Sequence, residues 1–350
     1  MTDVGRVVER IWLGNGIGPA TVRAALWPLE LLYGGLVAAR GVMYDQRLLP
    51  TRASALPAIS VGNLTVGGTG KTPVAAWIAG RLGNASAKPA IVLRGYGEDE
   101  VAVHRALNPG VPVLANVDRA AAIQRAAWDG ADVAVLDDGF QHRQIARVAD
   151  LVLLSVEQLL RPRRLIPAGP WRERLESAAR ADLVILTRKS ASTEDAARAR
   201  ALVALSVPVP PIALVQLVPD VLVDARTGEK RPLELRGVRV HAIAAVGEPE
   251  LFRRQLEQLG AEVSLTAFPD HHAFTASDIA ALARAVPADG AAICTLKDAV
   301  KLAQRWPGPS RLWYVSQQLL VEQGQEDIDR LLQRVLDARV ARASTPSTPG

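Results

Sequence analysis

The chain has 350 residues, of which 49% are hydrophobic, 22% are charged and 4% are aromatic. This length and apolar content suffice for one large or two medium hydrophobic cores, and the formal net charge of +5 favours anionic partners in general. The low aromatic content argues against nucleic acid as a partner, and the single cysteine, Cys294, excludes an internal disulfide and an all-cysteine metal site.

The N-terminal segment, residues 1–56, begins with charged residues and continues with a strongly apolar stretch at 24–44. The early charges argue against a secretory signal. Pro28, Glu30 and Arg40 interrupt the stretch, so that no unbroken apolar run reaches the roughly 18–20 residues that span a bilayer. Tryptophan, tyrosine and arginine residues border it, which is typical of a helix lying in a membrane interface. The alternative is a helix packed on the body of the protein.

A phosphate-binding motif follows. Residues 58–61 predict a short buried strand, residues 65–73 read TVGGTGKTP, and residues 74–82 predict a helix with Pro73 in its first turn. In this context the backbone N–H groups of a glycine-rich turn and the helix N-terminus receive phosphates. Lys71 would reach the β- and γ-phosphates, and the Thr72 hydroxyl would bind Mg2+.

The motif departs from the strict pattern at Thr65, where glycine is usual. The alternative interpretation is a glycine-rich turn with a surface lysine. We predict that the nucleotide is bound by the residues Thr65, Val66, Gly67, Gly68, Thr69, Gly70, Lys71 and Thr72.

Four more apolar runs follow, at residues 90–93, 133–136, 151–154 and 183–186, with a helix expected near 119–129. Runs that are continuous rather than alternating indicate a parallel sheet covered by helices on both faces. We therefore predict an α/β fold with a three-layered, doubly wound sheet.

Two carboxylates come directly after the run 133–136. At the carboxyl end of a buried strand, Asp137 or Asp138 would lie beside the phosphate loop and could hold Mg2+. An aspartate after a strand is also common as a helix cap or turn residue, but its pairing with the Gly-Lys-Thr loop favours a metal. The predicted metal site is Thr72 with Asp137 and Asp138, and either aspartate could dominate.

The composition changes around residues 206–220, which contain the proline-rich segment VPVPP. Extended segments are expected at 212–217 and 220–224, and a second α/β unit at about 238–338. We predict a phosphate-loop domain over residues 57–210 and a second, smaller α/β domain over 211–340, joined by a hinge. The tail, residues 341–350, should be disordered.

Residues 62–73 (GNLTVGGTGKTP) and 137–143 (DDGFQHR) together resemble the tetraacyldisaccharide 4′-kinase family of lipid A synthesis. Further matching blocks occur in the family's order: RGYG at 94–97, RLIPAGP at 164–170 followed by Arg172 and Glu173, FPDHHAFT at 268–275 and KDAVK at 297–301. Thr65 is the family's usual residue. The resemblance implies two Rossmann-like three-layer α/β/α domains, a P-loop NTPase core and an apolar N-terminal helix that rests on the membrane.

The resemblance also implies an activity. The family transfers the γ-phosphate of ATP, with Mg2+, to the 4′-hydroxyl of a tetraacyldisaccharide 1-phosphate, which gives lipid IVA. It acts at the cytoplasmic face of the inner membrane of Gram-negative bacteria, so we expect a peripheral or monotopic protein with a lipid substrate. We expect a monomer.

The resemblance suggests catalytic residues besides Lys71. The family's base is an aspartate in a Gly-Asp-Glu-Pro block, which Asp99 matches best, and its partner is the first histidine of the FPDH block, His271. This chain lacks the usual stretch before Asp99 and the proline after the glutamate, so that Glu98 or Glu100 remains an alternative. His272 is the rival of His271.

The DDGFQHR block adds Gln141 and His142 to the predicted nucleotide site. A basic cluster could face solvent, the substrate's 1-phosphate or the membrane surface, and consists of Arg161, Arg163, Arg164, Arg172 and Arg174. Other classes are a GTPase or metallochaperone-type ATPase, and a non-enzymatic scaffold that binds ATP. Residues 295–298 (TLKD) lack the asparagine of a guanine motif, and Leu296 stands where the family has glutamate.

Overall fold

The computed structural model describes residues 3–95, 98–207, 210–247, 249–270, 272–307 and 310–344. Its α-helices are α1 (Asp3–Leu13), α2 (Ile17–Asp45), α3 (Lys71–Asn84), α4 (Glu98–Leu107), α5 (Arg119–Trp128), α6 (Val156–Leu159), α7 (Thr193–Ser206), α8 (Pro249–Gln258), α9 (Ala276–Ala285), α10 (Leu296–Leu302) and α11 (Gln325–Ala343). Short 3-10 helices cover Leu175–Arg180 and Ala303–Arg305.

The β-strands are β1 (Ala58–Asn63), β2 (Pro89–Leu93), β3 (Val113–Ala115), β4 (Val133–Asp137), β5 (Ala149–Ser155), β6 (Leu183–Arg188), β7 (Ile212–Asp224), β8 (Lys230–Pro232), β9 (Arg239–Ala244), β10 (Glu262–Ala267), β11 (Ala291–Cys294) and β12 (Leu312–Gln323). The five apolar runs expected to be strands between residues 58 and 186 lie in β1, β2, β4, β5 and β6. The alternation of these strands with helices confirms the predicted α/β class.

The chain forms two compact units. The larger unit comprises Val8–Tyr96, Leu107–Leu217 and Leu319–Gly350. Its strands run in the order β7-β6-β5-β1-β4-β2-β3, and the pairs between them are parallel. Because β1, β2 and β4 are buried along their whole length, both faces of this part of the sheet are covered, as their continuous apolar sequences predicted.

The smaller unit comprises Met1–Val7, Gly97–Ala106 and Val218–Gln318. Its strands run in the order β10-β9-β11-β12-β7, with β8 paired antiparallel to β7. The helices α8, α9 and α10 supply its buried apolar side chains, which include Phe252, Ile279 and Leu302. The strands β7 and β12 contribute residues to both units.

The units divide the chain differently from the sequence-based domains. Helix α11 belongs to the larger unit, although it follows the segment expected to form a second domain. Its buried side chains Ile328 and Val335 and its ion pairs Arg334–Asp182 and Arg339–Asp132 tie it there. The segments 212–217 and 220–224 form one strand, β7, and residues 345–350 of the expected disordered tail lie outside the described residues.

Helix α2 is the apolar N-terminal helix that the sequence predicted, and it continues through Pro28, Glu30 and Arg40. Only two of its residues, Gly34 and Tyr44, are buried. Its large exposed apolar side chains are Ile17, Val22, Trp27, Leu29, Leu31, Leu32, Leu36, Val42 and Met43. Within the part of the chain that the structure describes, α2 is the one helix whose length and composition would allow it to cross a membrane.

Candidate active site

The predicted phosphate loop joins the end of β1 to the start of α3. Gly67 and Gly70 have φ angles of 112° and 84°, in the left-handed region that favours glycine. Gly70 is the N-cap of α3, and it brings no side-chain acceptor to the first helical N–H groups. These N–H groups and the positive end of the helix dipole suit an anionic group such as a phosphate.

Hydrogen bonds from neighbouring strands fix the loop. The Asn63 amide donates to the Thr69 hydroxyl at 2.9 Å, and the Thr187 hydroxyl donates to the Thr69 carbonyl at 2.8 Å. The Lys189 ammonium donates to the Gly68 carbonyl at 3.0 Å. These bonds turn carbonyl oxygens of the loop toward the protein, which favours N–H groups on the opposite, phosphate-facing side.

Thr65 has a structural reason to replace glycine. Its side chain is buried, and its hydroxyl donates to the Gln158 side-chain oxygen at 2.7 Å. The next residue, Val66, donates its backbone N–H to the Pro170 carbonyl at 2.7 Å. The start of the loop is therefore held by side-chain and backbone bonds, and it does not need the conformational freedom of glycine.

Asp137, the last residue of β4, and Asp138, which follows it, have different surroundings. The Thr72 hydroxyl lies 3.5 Å from Oδ2 of Asp137, which is buried. Asp138 has a φ angle of 52°, and both of its carboxylate oxygens accept from the Arg172 guanidinium at 2.9 Å. Lys71 Nζ lies 3.8 Å from Asp138 Oδ1. Burial acts to raise the pKa of Asp138, but the charges of Lys71 and Arg172 outweigh it and hold the pKa below its ordinary value.

Arg119, the first residue of α5, supports both aspartates from behind. It is buried, and its guanidinium donates to the backbone carbonyls of Asp137 at 2.9 Å and of Asp138 at 3.0 Å. This support fixes the turn in which Asp138 takes its unusual backbone angle.

Gln141 and His142 lie in the same turn region. The Gln141 amide donates to the Asn63 carbonyl at 2.8 Å, which links the turn to the start of the phosphate loop. Burial, followed by the charges of Arg119, Arg147 and other nearby arginines, lowers the pKa of His142 to about 4. The imidazole is therefore neutral at neutral pH, in surroundings that favour anions.

These donors fit a Mg2+ ion that takes much of its coordination from phosphate and water. The Thr72 hydroxyl and the Asp137 carboxylate are hard oxygen ligands on adjacent elements, as such a site requires. Among the described residues no cluster of three or more histidine, cysteine, aspartate or glutamate side chains is placed to hold a metal by itself. The residues therefore suit a metal that arrives with a nucleotide.

The predicted base, Asp99, belongs to the smaller unit, where it lies in the first turn of α4. Its carboxylate is only 7% exposed, and Oδ2 lies 3.2 Å from Lys301 Nζ. Glu100, one of its rivals, follows it in the same helix and donates its backbone N–H to Asp99 Oδ1 at 3.1 Å.

His271 lies outside the described residues. Its rival His272 is engaged with the start of α9, where Nε2 lies 3.0 Å from Asp278 Oδ2. The His272 ring also stacks on Phe268, with 4.6 Å between ring centroids. Asp278 in turn forms a capping box with Thr275, so that His272 has a place in the helix cap.

The segment 295–298 has a structural role. Asp298 is fully buried, and its Oδ2 accepts from the Thr295 hydroxyl at 2.7 Å and from the Ala245 N–H at 3.1 Å. A carboxylate with no exposed surface is not accessible to a bound base, so the arrangement does not favour a guanine site.

Sequence reasoning did not assign roles to several of these groups. Arg119 and Thr187 belong to no motif, and Asn63 was only part of the matching block 62–73. Arg172 was named only as part of a matching block and of a basic cluster, and Lys301 only as part of a matching block, because their partners lie 34 and 202 positions away in the sequence. Lys71, Thr72, Asp137, Asp138 and Gln141 do come together beside the phosphate loop, and His142 follows Gln141 in the same turn.

The first strand of the parallel sheet leads through a glycine-rich turn that contains Lys71 and Thr72 into a helix. The neighbouring strand ends in an aspartate. These features define a P-loop nucleotide-binding protein. The family model described as Tetraacyldisaccharide-1-P 4′-kinase matches residues 22–109 and 99–337. The chain belongs to this family.

Named relatives and a solved structure agree with this assignment. A tetraacyldisaccharide 4′-kinase from Anaeromyxobacter sp. (strain Fw109-5) is 38% identical, over 97% of this chain and 98% of the relative. The one from Halorhodospira halophila is 37% identical, over 89% of this chain and 92% of the relative. A crystal structure of LpxK from Aquifex aeolicus in complex with ATP is 27% identical, covers 90% of this chain and 99% of its own, and gives a TM-score of 0.71.

Proposed function

We propose that this protein transfers the γ-phosphate of ATP to the 4′-hydroxyl of tetraacyldisaccharide 1-phosphate, the step of lipid A synthesis that gives lipid IVA. The observation that carries the proposal is the meeting of Lys71, Thr72 and Asp137 at one phosphate loop in a chain that matches the kinase family over most of its length. In the reaction the bond between the γ-phosphorus and the bridging oxygen of ATP breaks. A bond to the sugar oxygen forms, and ADP leaves.

The larger unit binds the nucleotide in this proposal. Backbone N–H groups within residues 67–72 and the N-terminus of α3 receive the phosphates, and Lys71 neutralises charge at the β- and γ-positions. Thr72 and Asp137 would hold Mg2+, which when bound neutralises charge on the phosphates. We assign Asp137 rather than Asp138 this part, because the Asp138 carboxylate is already bonded at both oxygens to Arg172.

Asp99 is the proposed base. It accepts the proton of the 4′-hydroxyl as the oxygen attacks phosphorus, which makes the hydroxyl a better nucleophile. Its ion pair with Lys301 supports this role, because the ammonium holds the carboxylate in one orientation. His271 remains the proposed partner of Asp99 on the strength of the sequence resemblance alone.

Helix α2 supports a membrane location. Its exposed apolar side chains are unfavourable in water, because transfer of one leucine side chain from water to an apolar environment is favourable by about 2 kcal/mol. We propose that α2 rests in the cytoplasmic leaflet of the inner membrane and gives a monomeric, monotopic enzyme access to its lipid substrate. Arg161 and Arg163 could then bind the 1-phosphate or the membrane surface.

The test is labelled phosphate transfer in mixed micelles. Purified protein is incubated with ATP labelled at the γ-phosphate, Mg2+ and tetraacyldisaccharide 1-phosphate, beside the variants Lys71→Met and Asp99→Asn. Lys88→Met is the matched control, because Lys88 is exposed and outside the loop. Label in the lipid with the parent and with Lys88→Met, but with neither of the other variants, supports the proposal. Absence of label with the parent contradicts it.

A further inference from the structure

Residues 164–173, which we call the strap, are bonded to helix α2 at an unexpected place. Glu30 lies in the middle of this apolar helix, yet its side chain is only 13% exposed. Its Oε1 accepts the backbone N–H of Leu165 at 2.8 Å, and its Oε2 lies 3.3 Å from the Arg164 guanidinium. A carboxylate in such a helix is unfavourable without a partner, and here the partner is the strap.

Two more side chains of the N-terminal helices hold the strap. The Tyr33 hydroxyl donates to the Arg172 carbonyl at 3.0 Å, and the Trp12 indole donates to the Pro167 carbonyl at 2.9 Å. Leu165 also packs against Gly34, where an added Cβ would lie 2.9 Å from the leucine Cδ1. The contact therefore extends along the strap from Leu165 to Arg172.

The same strap is bonded to the phosphate loop. Pro170 accepts the Val66 N–H at 2.7 Å, and Arg172 donates its backbone N–H to the Leu64 carbonyl at 2.7 Å. The buried Trp171 forms a β-bridge with Thr65. The Arg172 side chain then reaches Asp138 with two bonds of 2.9 Å.

Because the strap is bonded to α2 along one side and to residues 64–66 along the other, we propose that Glu30 and Tyr33 are positioning residues for phosphoryl transfer. They fix the strap, and the strap fixes the start of the phosphate loop and the Arg172–Asp138 pair. Helix α2 thus has a second role besides membrane contact, because its packing on the strap determines the geometry of the nucleotide site. This inference rests on the proposed kinase function for its kinetic part only.

The experiment compares the variants Glu30→Gln and Tyr33→Phe with the parent. Each keeps the size of its side chain, and each removes one attachment of the strap. The matched controls are Asp45→Asn and Tyr44→Phe, which change a carboxylate and a tyrosine of the same helix that make no bond to the strap. For each protein the dissociation constant of ATP is measured by direct binding, kcat and KM by phosphate transfer in micelles, and the unfolding midpoint by circular dichroism.

Loss of one hydrogen bond at each position should make the active geometry of the phosphate loop less favourable. The free energy lost corresponds to about a three- to tenfold change in the dissociation constant of ATP and in kcat. We expect the dissociation constant of ATP to rise and kcat to fall by that factor in both variants, and to stay within about twofold of the parent in both controls. The direct binding measurement is independent of catalysis, so it tests the positioning even if the parent transfers no phosphate.

Two results would overturn the inference. The first is ATP affinity and kcat in both variants equal to those of the controls. The second is a fall in kcat with unchanged ATP affinity and a lowered unfolding midpoint. A purely structural attachment would give this second pattern, because it reduces the fraction of folded enzyme without altering the nucleotide site of the molecules that remain folded.

Discussion

Replacement of Gly62 by alanine should displace the turn of the candidate active site, because the added methyl group overlaps Phe140. Gly62 lies in the buried strand β1, and a Cβ at this position would be 2.5 Å from Phe140 Cβ and 2.7 Å from the Phe140 backbone nitrogen. Carbon atoms at their optimal separation are roughly 3.5 Å apart, so the strand and the turn must separate by about 1 Å. Phe140 is fully buried, and its backbone atoms cannot turn aside as a flexible side chain would.

The expected cost is about 3 kcal/mol in the free energy of unfolding, the upper end for overpacking, because backbone has to move. The turn that moves follows Asp137 and Asp138 directly. A displacement of about 1 Å at catalytic groups can lower turnover about 100-fold, and we expect a loss of this order in phosphate transfer. Urea denaturation followed by circular dichroism gives the first quantity, and labelled transfer gives the second.

Gly83→Ala is the matched control. Gly83 lies in α3, and an added Cβ would have nothing within 4 Å. Alanine is the better helix former, so this variant should keep its activity and gain up to about 1 kcal/mol. If Gly62→Ala unfolds at the same urea concentration as Gly83→Ala and transfers phosphate equally fast, the packing argument is refuted.

Three further predictions concern stability and the membrane. His142 has a folded-state pKa of about 4, below the 6.5 of an unfolded chain, so the unfolded state binds the proton first and stability falls as pH drops from 6.5 to 4. Because solvent screens this half-buried ring, the expected loss in the free energy of unfolding is about 1–2 kcal/mol. Urea titrations at both pH values should show this loss in the parent and not in His142→Gln. Glu157 accepts the backbone N–H groups of residues 189–191, which helps to hold its pKa below the ordinary value against the effect of burial. Glu157→Gln should therefore lose about 2 kcal/mol at pH 7, and less as the carboxyl of the parent is protonated in acid; an equal loss at all pH values would contradict this cause. Leu36→Glu should lower binding to anionic vesicles about tenfold or more in a flotation assay, whereas Leu205→Glu, a change at a still more exposed leucine on α7, should leave it unchanged. Equal binding of the two variants would argue against α2 as the membrane contact.

The strands of the larger unit were predictable because they are buried on both faces. Their sequences are continuous apolar runs that no amphipathic helix would show, and β1 and β4 are clear examples. The short strand β3 is only partly buried, and its three residues give too weak a pattern to be recognised. Helix α4 begins with three acidic residues after a glycine-containing block, and no helix was predicted there.

The arrangement of the site was predictable only in part. The Gly-Lys-Thr motif and the aspartates at the end of β4 could be placed together because parallel strands end at one edge of a sheet. The bonds of Arg172 to Asp138 and of Glu30 to the strap depend on how distant segments fold back, and no local pattern encodes them. The assignment of α11 to the larger unit depends in the same way on long-range packing.

The most direct test of the proposed function is the identity of the phosphorylated product. The lipid recovered after incubation with ATP and Mg2+ is analysed by phosphorus NMR and by mass spectrometry of its fragments. The proposal predicts one additional phosphate monoester, on the 4′-oxygen of the distal glucosamine, with the original 1-phosphate unchanged. A diphosphate at the 1-position, or release of inorganic phosphate with the lipid unaltered, would contradict it.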